Sequence, residues 1–199
     1  MLKLAYKIGF TGFVTMFFFI GMGNILYAQT TGIEWLSWEQ METMMKKQKK
    51  KVIVDIYTDR CSWCKRMDQT TFQDPSVVKM IGRDFYAVKL NADFREDIIY
   101  KEKIFKYVNY GKRGCHQLAL EITQNNLSFP TFVFMDENID VIQPIPGYLD
   151  AETFEIIASY FYGNHHKSTP FQVYEESYKA SKSTPVKSNP PLRTVNNRK

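Results

Sequence analysis

Lys51-Val-Ile-Val-Asp-Ile-Tyr-Thr-Asp-Arg-Cys-Ser-Trp-Cys-Lys-Arg-Met67 is the stretch of this chain that decides its fold. Residues 52–57 form a short apolar run rich in β-branched side chains, which predicts a buried strand. Cys61 and Cys64 follow it, and we expect them at the start of a helix that runs to about Thr70. Residues three positions apart lie on one helix face, so the two sulfurs can bond and separate without refolding. The stretch therefore predicts a strand followed by a reversible disulfide at a helix N-terminus.

The position of the first cysteine favours a reactive thiolate. Unpaired backbone N–H groups and the helix macrodipole favour negative charge at a helix N-terminus, so the pKa of Cys61 should lie below the free thiol value of roughly 8.5. Flanking cations at Arg60, Lys65 and Arg66 act in the same direction, and nearby aspartates act against it. Cys61 is therefore the candidate nucleophile. Cys64, one helical turn further on, is the candidate resolving thiol.

Asp55 is a charged residue within the otherwise apolar strand. A charge in such a place is costly unless it is solvated, paired or neutral. Asp55 also closely precedes the cysteine pair, and ionisable groups in costly positions are candidates for catalysis. The alternative is that Asp55 only accepts hydrogen bonds from nearby backbone. We predict that Asp55 takes part in catalysis.

Several short segments between about Lys51 and Gly163 follow one another in an order that resembles a known family. They are VDIY at 54–57, CSWCK at 61–65, TFQDPSV at 71–77, VKLNAD at 88–93, FPTFVF at 129–134 and GYLDAETF at 147–154. Together they resemble the thioredoxin superfamily, and more closely the C-terminal domain of the bacterial thiol:disulfide interchange protein DsbD and single-domain secreted thioredoxin-like proteins. The resemblance and the order of predicted elements imply an α/β fold, a three-layer sandwich in which a mixed sheet of about four to five strands is flanked by helices.

The resemblance also implies roles for individual residues. Asp55 matches the buried carboxylate behind the disulfide, which helps to take the proton from Cys64. Lys89 matches a lysine near that carboxylate. Pro130 matches a cis-proline that faces the two cysteines, and the backbone of Phe129 before it is expected to pair with an extended substrate segment.

The predicted function is thiol–disulfide exchange with protein thiols and disulfides, without a bound cofactor. Trp63 beside the cysteine pair, together with Phe129, predicts a partly apolar docking surface for the substrate. We expect a reductase more than an oxidant, although Ser62-Trp63 replaces thioredoxin's Gly-Pro and leaves the direction open. The main alternative is a thioredoxin-fold binding or chaperone-like module with a structural disulfide, and a peroxide-reducing enzyme has no special support.

Residues 94–129 form an insertion that makes the chain longer here than minimal thioredoxins. We predict patchy helix over 96–108 and a short helix over 115–122. A functional interpretation makes Cys115 a third redox thiol or His116 a base in a substrate loop. We favour the alternative, in which Cys115 is a buried small hydrophobe next to a surface His116.

A zinc site is the other alternative for the cysteines. Cys61, Cys64, Cys115 and a histidine are suitable ligand types, but structural zinc sites usually show two tight ligand pairs. His165-His166 is a weak second pair, so we predict no metal.

Residues 1–28 have the form of a secretory signal. Lys3 and Lys7 precede an apolar run over 8–25, and Ala28 stands before the expected cleavage point. We therefore predict a periplasmic or secreted bacterial protein, with an uncleaved membrane anchor as the alternative. Because no polytopic membrane domain precedes the cysteines, we expect a separate membrane partner that donates or accepts electrons.

The charge of the chain is concentrated near its end. The net charge is +5, and residues 164–199 hold seven basic and two acidic residues. We predict a thioredoxin-like domain over 29–163, followed by a basic and mostly disordered tail in which only 171–178 docks. The tail or residues 1–28 can give weak membrane association, but the remainder is too near neutral to predict a nucleic-acid surface.

Overall fold

The structure, a computed structural model, describes residues 32–110 and 113–183. Its strands are β1 (Trp35–Leu36), β2 (Lys51–Tyr57), β3 (Phe85–Asn91), β4 (Ile98–Tyr100), β5 (Lys103–Phe105), β6 (Tyr107–Tyr110), β7 (Arg113–His116), β8 (Thr131–Met135) and β9 (Val141–Pro146). Its helices are α1 (Trp38–Lys47), α2 (Ser62–Gln69), α3 (Pro75–Asp84), α4 (Gln117–Ile122), α5 (Ala151–Tyr162) and α6 (Phe171–Ser183), with short 3-10 helices at Thr71–Gln73 and His165–Lys167. The predicted signal at 1–28 and the last part of the predicted tail lie outside the described residues.

A five-stranded mixed sheet forms the centre of the fold, in the order β1-β3-β2-β8-β9. Strand β3 pairs in parallel with both β1 and β2, whereas β8 is antiparallel to β2 and to β9. Side chains alternate between the two faces of a strand. Both faces of β2 are buried, which explains its nearly continuous apolar run and confirms the predicted strand.

Helices cover both faces of the sheet. On one face, α1 and α4 pack with the β4–β5 hairpin against Val52, Val54 and Ile56 of β2. On the other face, α2, α3 and α5 pack against Ile53 and its neighbours. The three layers confirm the predicted thioredoxin-like architecture. They also place the side chains of Ile53 and Asp55 on the face of β2 that α2 covers.

The helices begin where local side chains can satisfy free backbone N–H groups. Ser37 and Gln40 form a reciprocal capping box at α1, as their spacing predicts. Asp74 accepts hydrogen bonds from the backbone of Ser76 and Val77 at α3, and Asp150 caps α5. These local signals determine where the three helices begin.

The insertion differs from our prediction. Residues 98–105 form the β4–β5 hairpin instead of a helix, and β6 pairs with β7 in a second hairpin. The first hairpin turns through Lys101 and Glu102, both of which have positive φ. Such turns normally use Asn or Gly, so this turn gives no recognisable sequence signal. The predicted helix over 115–122 begins at Gln117, because Cys115 belongs to β7.

The segment after Gly163 is more regular than we predicted. Helix α6 continues to Ser183 and packs on α5, where the Tyr178 hydroxyl donates a hydrogen bond to Glu155 at 3.0 Å. Lys182 also forms an ion pair with Glu155 at 2.7 Å. Within the described part of the chain, no helix is both long and apolar enough to cross a membrane.

Candidate active site

Cys61 and Cys64 form a disulfide at the N-terminus of α2, with a Cα–Cα distance of 5.3 Å. Cys61 is the N-cap residue, and its Sγ accepts a hydrogen bond from the backbone N–H of Cys64 at 3.0 Å. Cys61 is half-buried, whereas Cys64 is only 4% exposed. Solvent and partners can therefore reach the first sulfur more readily than the second, as a nucleophile and a resolving thiol require.

Asp55 lies on the face of β2 that α2 covers. Its side chain is almost completely buried, and its Oδ1 has no hydrogen-bond partner among the described residues. Burial raises the pKa of Asp55 to about 7. The Lys89 ammonium opposes this increase, and the Asp68 carboxylate adds to it. The carboxyl can therefore exchange a proton near neutral pH.

Lys89 lies beside Asp55 because the two residues are in register in the parallel β2–β3 pair. Its Nζ is 3.7 Å from Asp55 Oδ2 but only 2.5 Å from Asp68 Oδ1. The ammonium also lies about 5 Å from the ring centres of Trp35 and Tyr57, at 5.1 and 5.0 Å. Since Asp68 is the nearer partner, Lys89 compensates the charge of Asp55 only in part.

We expect Asp68→Asn to lower the pKa of Asp55. The substitution removes a nearby negative charge and releases Lys89 to pair more closely with Asp55. The measurement is a pH titration of the Asp55 carboxyl by carbon NMR in the oxidised protein, where Cys61 and Cys64 do not titrate. Asp59→Asn, an exposed aspartate close to the same site, is the matched control. An unchanged or higher pKa in Asp68→Asn would contradict this account of Lys89.

The predicted cis-proline is also confirmed, because the Phe129–Pro130 peptide bond is cis. Phe129 and Trp63 line the same open cavity as Cys61, with a volume of about 440 Å³. Trp63 is 55% exposed, and its ring lies 5.4 Å from that of Tyr148. The structure thus brings the predicted docking residues together beside the accessible sulfur.

Cys115 and His116 are both buried. Cys115 is reduced and lines the cavity beside Cys61, and burial raises the pKa of its thiol. The prediction that His116 lies at the surface is wrong. Its Nδ1 accepts a hydrogen bond from the backbone of Leu118, so Nε2 donates to the carbonyl of Glu96, and burial lowers the pKa of the ring. His116 therefore serves as a neutral helix cap.

Two features of the site were not predicted. The contact of Asp68 with Lys89 is the first: Asp68 is one of the nearby aspartates expected to act only on Cys61, but it lies one helical turn after Cys64 and so faces the same side. The second is Arg113, which lines the cavity beside Cys61. Among residues 32–110 and 113–183, no group of three or more His, Cys, Asp or Glu side chains is arranged to hold a metal ion.

A three-layer fold with a Cys-x-x-Cys disulfide at a helix N-terminus and a cis-proline in the same site defines the thioredoxin-like class of proteins. The sequence model of the family described as "Thioredoxin-like domain" matches residues 38–162, and the chain belongs to this family. The predicted membership of the thioredoxin superfamily is therefore confirmed.

Known proteins show the same likeness over part of their length. The chain is 26% identical over 118 residues to the thiol:disulfide interchange protein DsbD of Actinobacillus pleuropneumoniae serotype 5b, covering 58% of this chain and 17% of that protein. It is 25% identical over 67 residues to human spermatogenesis-associated protein 20, covering 33% and 8%. The chain thus spans less than a fifth of the length of these relatives.

A solved structure shows the same fold. A thioredoxin-fold protein from Helicobacter pylori superposes with a TM-score of 0.52 at 18% identity, over 68% of this chain and 87% of that one. At this level of identity, the likeness concerns the fold alone.

Proposed function

We propose that this protein is an extracytoplasmic thiol–disulfide oxidoreductase that acts on protein substrates through Cys61-Ser-Trp-Cys64. The observation that carries the proposal is the unequal exposure of the two cysteines in front of a buried carboxylate. Cys61 is accessible, Cys64 is buried, and Asp55 lies on the sheet face beneath their helix. A structural disulfide in a binding module does not require this carboxylate.

The reaction in the reducing direction starts from the reduced pair. The Cys61 thiolate attacks one sulfur of a substrate disulfide, and the other substrate sulfur leaves as a thiolate and takes up a proton. Cys64 then gives its proton to the Asp55 carboxylate and attacks Cys61 Sγ, which releases the second substrate thiolate. The substrate gains two electrons and the cysteine pair loses two. The reverse sequence oxidises a substrate dithiol.

The predicted signal at 1–28 and the similarity to DsbD support an extracytoplasmic site of action, in the periplasm or outside the cell. In an oxidising compartment the cysteine pair cannot stay reduced without an electron donor. We therefore propose that a membrane protein supplies or removes the electrons. We propose the reducing direction as the main one, because a donor is what the pair needs in such a compartment.

The reduction potential of the Cys61–Cys64 pair tests this proposal. The full chain is equilibrated with glutathione buffers, and thiol-trapping mass spectrometry follows Cys61, Cys64 and Cys115 separately. A potential of about −270 mV supports a reductase, whereas one of about −120 mV would mean an oxidant. The absence of any reversible couple would contradict the enzyme and favour a binding module with a structural disulfide.

We expect Trp63→Ala to slow exchange with protein disulfides by about tenfold, because a large exposed aromatic ring beside the nucleophile supplies contact area to a polypeptide. Exchange with a small neutral disulfide should be unchanged. The rate constants of both reactions measure the effect, and Val173→Ala, an equally exposed apolar residue on α6, is the control. Equal loss with both substrates would mean that Trp63 acts on the cysteines instead of on the substrate.

A further inference from the structure

The inserted β6–β7 hairpin forms a wall of the cavity beside Cys61. Arg113, Gly114 and Cys115 of β7 line that cavity together with Cys61 and Phe129. A second depression, of about 510 Å³, adjoins this cavity, and the cavity and the depression share four lining residues. The four are Arg60, Asp93, Arg113 and Gly114. The two depressions together form one open groove, which passes the accessible sulfur and continues along the hairpin.

Packing between side chain and backbone holds this wall in place. The guanidinium of Arg95 lies 3.6 Å from the ring centre of Tyr107 on β6. A Cβ atom at Gly114 would lie only 2.3 Å from Cε1 of the same ring, so glycine is needed for the ring to lie against β7. The groove is therefore a defined surface between the hairpin and the α2 N-terminus.

The charges along the groove are not balanced. Arg60 forms an ion pair with Asp93 at 3.3 Å, and Asp59 accepts a hydrogen bond from Asn91. Arg95 lies over Tyr107. Arg113 is exposed, and its side chain has no ion-pair or hydrogen-bond partner within the described ranges. The groove thus has three arginines against two aspartates, and both aspartates already have partners.

We propose that this groove binds an extended polypeptide segment that carries an acidic side chain close to its reactive cysteine, with Arg113 as the contact for that carboxylate. The proposal rests on the proposed function, since the segment is the substrate of Cys61. The apolar side chains of Trp63, Leu127 and Phe129 line the part of the groove nearest the sulfur and suit the rest of the segment. Two adjoining depressions of about 440 and 510 Å³ give more room than a small anionic thiol would fill, which favours a polypeptide.

The test compares short peptide disulfides that are identical except for Glu, Gln or Lys beside the cysteine. The reduced full chain is mixed with each peptide, and the rate constant of exchange is measured at low salt. We expect the Glu peptide to react about fivefold faster than the Gln peptide and the Lys peptide to react more slowly than either, as exposed ion pairs allow. Arg113→Gln should remove the difference between peptides, and Arg113→Glu should reverse it. High salt should reduce the difference in rate constant between the peptides in the unmodified protein.

Lys79→Glu is the matched control, because Lys79 is exposed on α3 and lines neither depression. It changes the total charge as Arg113→Glu does, and the preference for the Glu peptide should survive. Equal rates across the peptides would overturn the proposal while leaving the proposed function intact. So would an equal loss of the preference for the Glu peptide in Arg113→Glu and Lys79→Glu. If Arg113→Gln slows only glutathione disulfide, the groove binds a small anionic thiol and the proposal is wrong. Absence of exchange with every peptide would instead overturn the proposed function.

Discussion

Cys64→Ser is expected to convert the protein from a catalyst into a covalent trap for its substrates. Cys61 keeps its accessible position and can still attack a disulfide, but no second thiol lies beside it in the helix to resolve the product. Cys61→Ser is expected to lose exchange by a factor on the order of 10³ or more, because it removes the sulfur that we propose as the nucleophile. Non-reducing electrophoresis of cells that express each variant measures the difference, since only Cys64→Ser should yield mixed disulfides with other proteins.

Cys115→Ser is the control for this experiment. Cys115 lines the same cavity but is buried, and burial raises the pKa of its thiol, so it is a poor nucleophile. Cys115→Ser should keep the activity of the unmodified protein, and the double variant Cys64→Ser with Cys115→Ser should still trap partners. Loss of trapping in the double variant would mean that Cys115 forms the adducts. Absence of adducts in both Cys64→Ser proteins would contradict the exchange mechanism.

The parts of the site that could be predicted from sequence depend on local signals or on strand register. An apolar β-branched run, the Cys-x-x-Cys spacing and helix caps act over a few residues, and each is visible in the sequence. Asp55 is conspicuous because a charge interrupts the buried strand. Its neighbour Lys89 followed from the family resemblance, and the parallel register of β2 and β3 explains why the two meet.

The parts that could not be predicted depend on contacts between distant segments. The β4–β5 hairpin turns through Lys101 and Glu102, whose positive φ values are set by the strands that they join and not by residue type. His116 is buried because Glu96 supplies a carbonyl for its ring, which no spacing in the sequence reveals. The charge of Arg113 reaches the groove only because β7 folds back beside α2.

Asp55→Asn is expected to stabilise the oxidised protein and to slow the exchange reaction at the same time. A carboxyl whose pKa rises from 3.8 to about 7 on folding costs the folded state at most about 4 kcal/mol once it is ionised. Asparagine has nearly the same shape and never ionises. The variant should therefore have the higher free energy of unfolding at pH 8, by up to that amount.

The sign of the pH dependence follows from the raised pKa. Between about pH 4 and about pH 7 the folded state keeps its proton and the unfolded state does not, so the stability of the unmodified protein falls as the pH rises through this window. Below about pH 4 the carboxyl is protonated in the folded and in the unfolded state, so the free energy of unfolding of the variant should differ little from that of the unmodified protein. Urea unfolding at pH 4 and pH 8 measures the difference, with Asp59→Asn, a substitution of an exposed aspartate, as the matched control.

The same substitution removes the carboxylate that we propose as the proton acceptor for Cys64. Resolution of the mixed disulfide should slow by about 10²-fold, and its pH profile should lose the inflection near 7. Rapid mixing of reduced protein with a peptide disulfide, followed by acid quenching, measures this step separately from the attack by Cys61. A carboxylate that served only to bind the backbone would give the opposite result, because its loss would destabilise the fold and leave the rate unchanged. Greater stability together with slower resolution therefore distinguishes a group that the fold tolerates for its chemistry from one that holds the fold together.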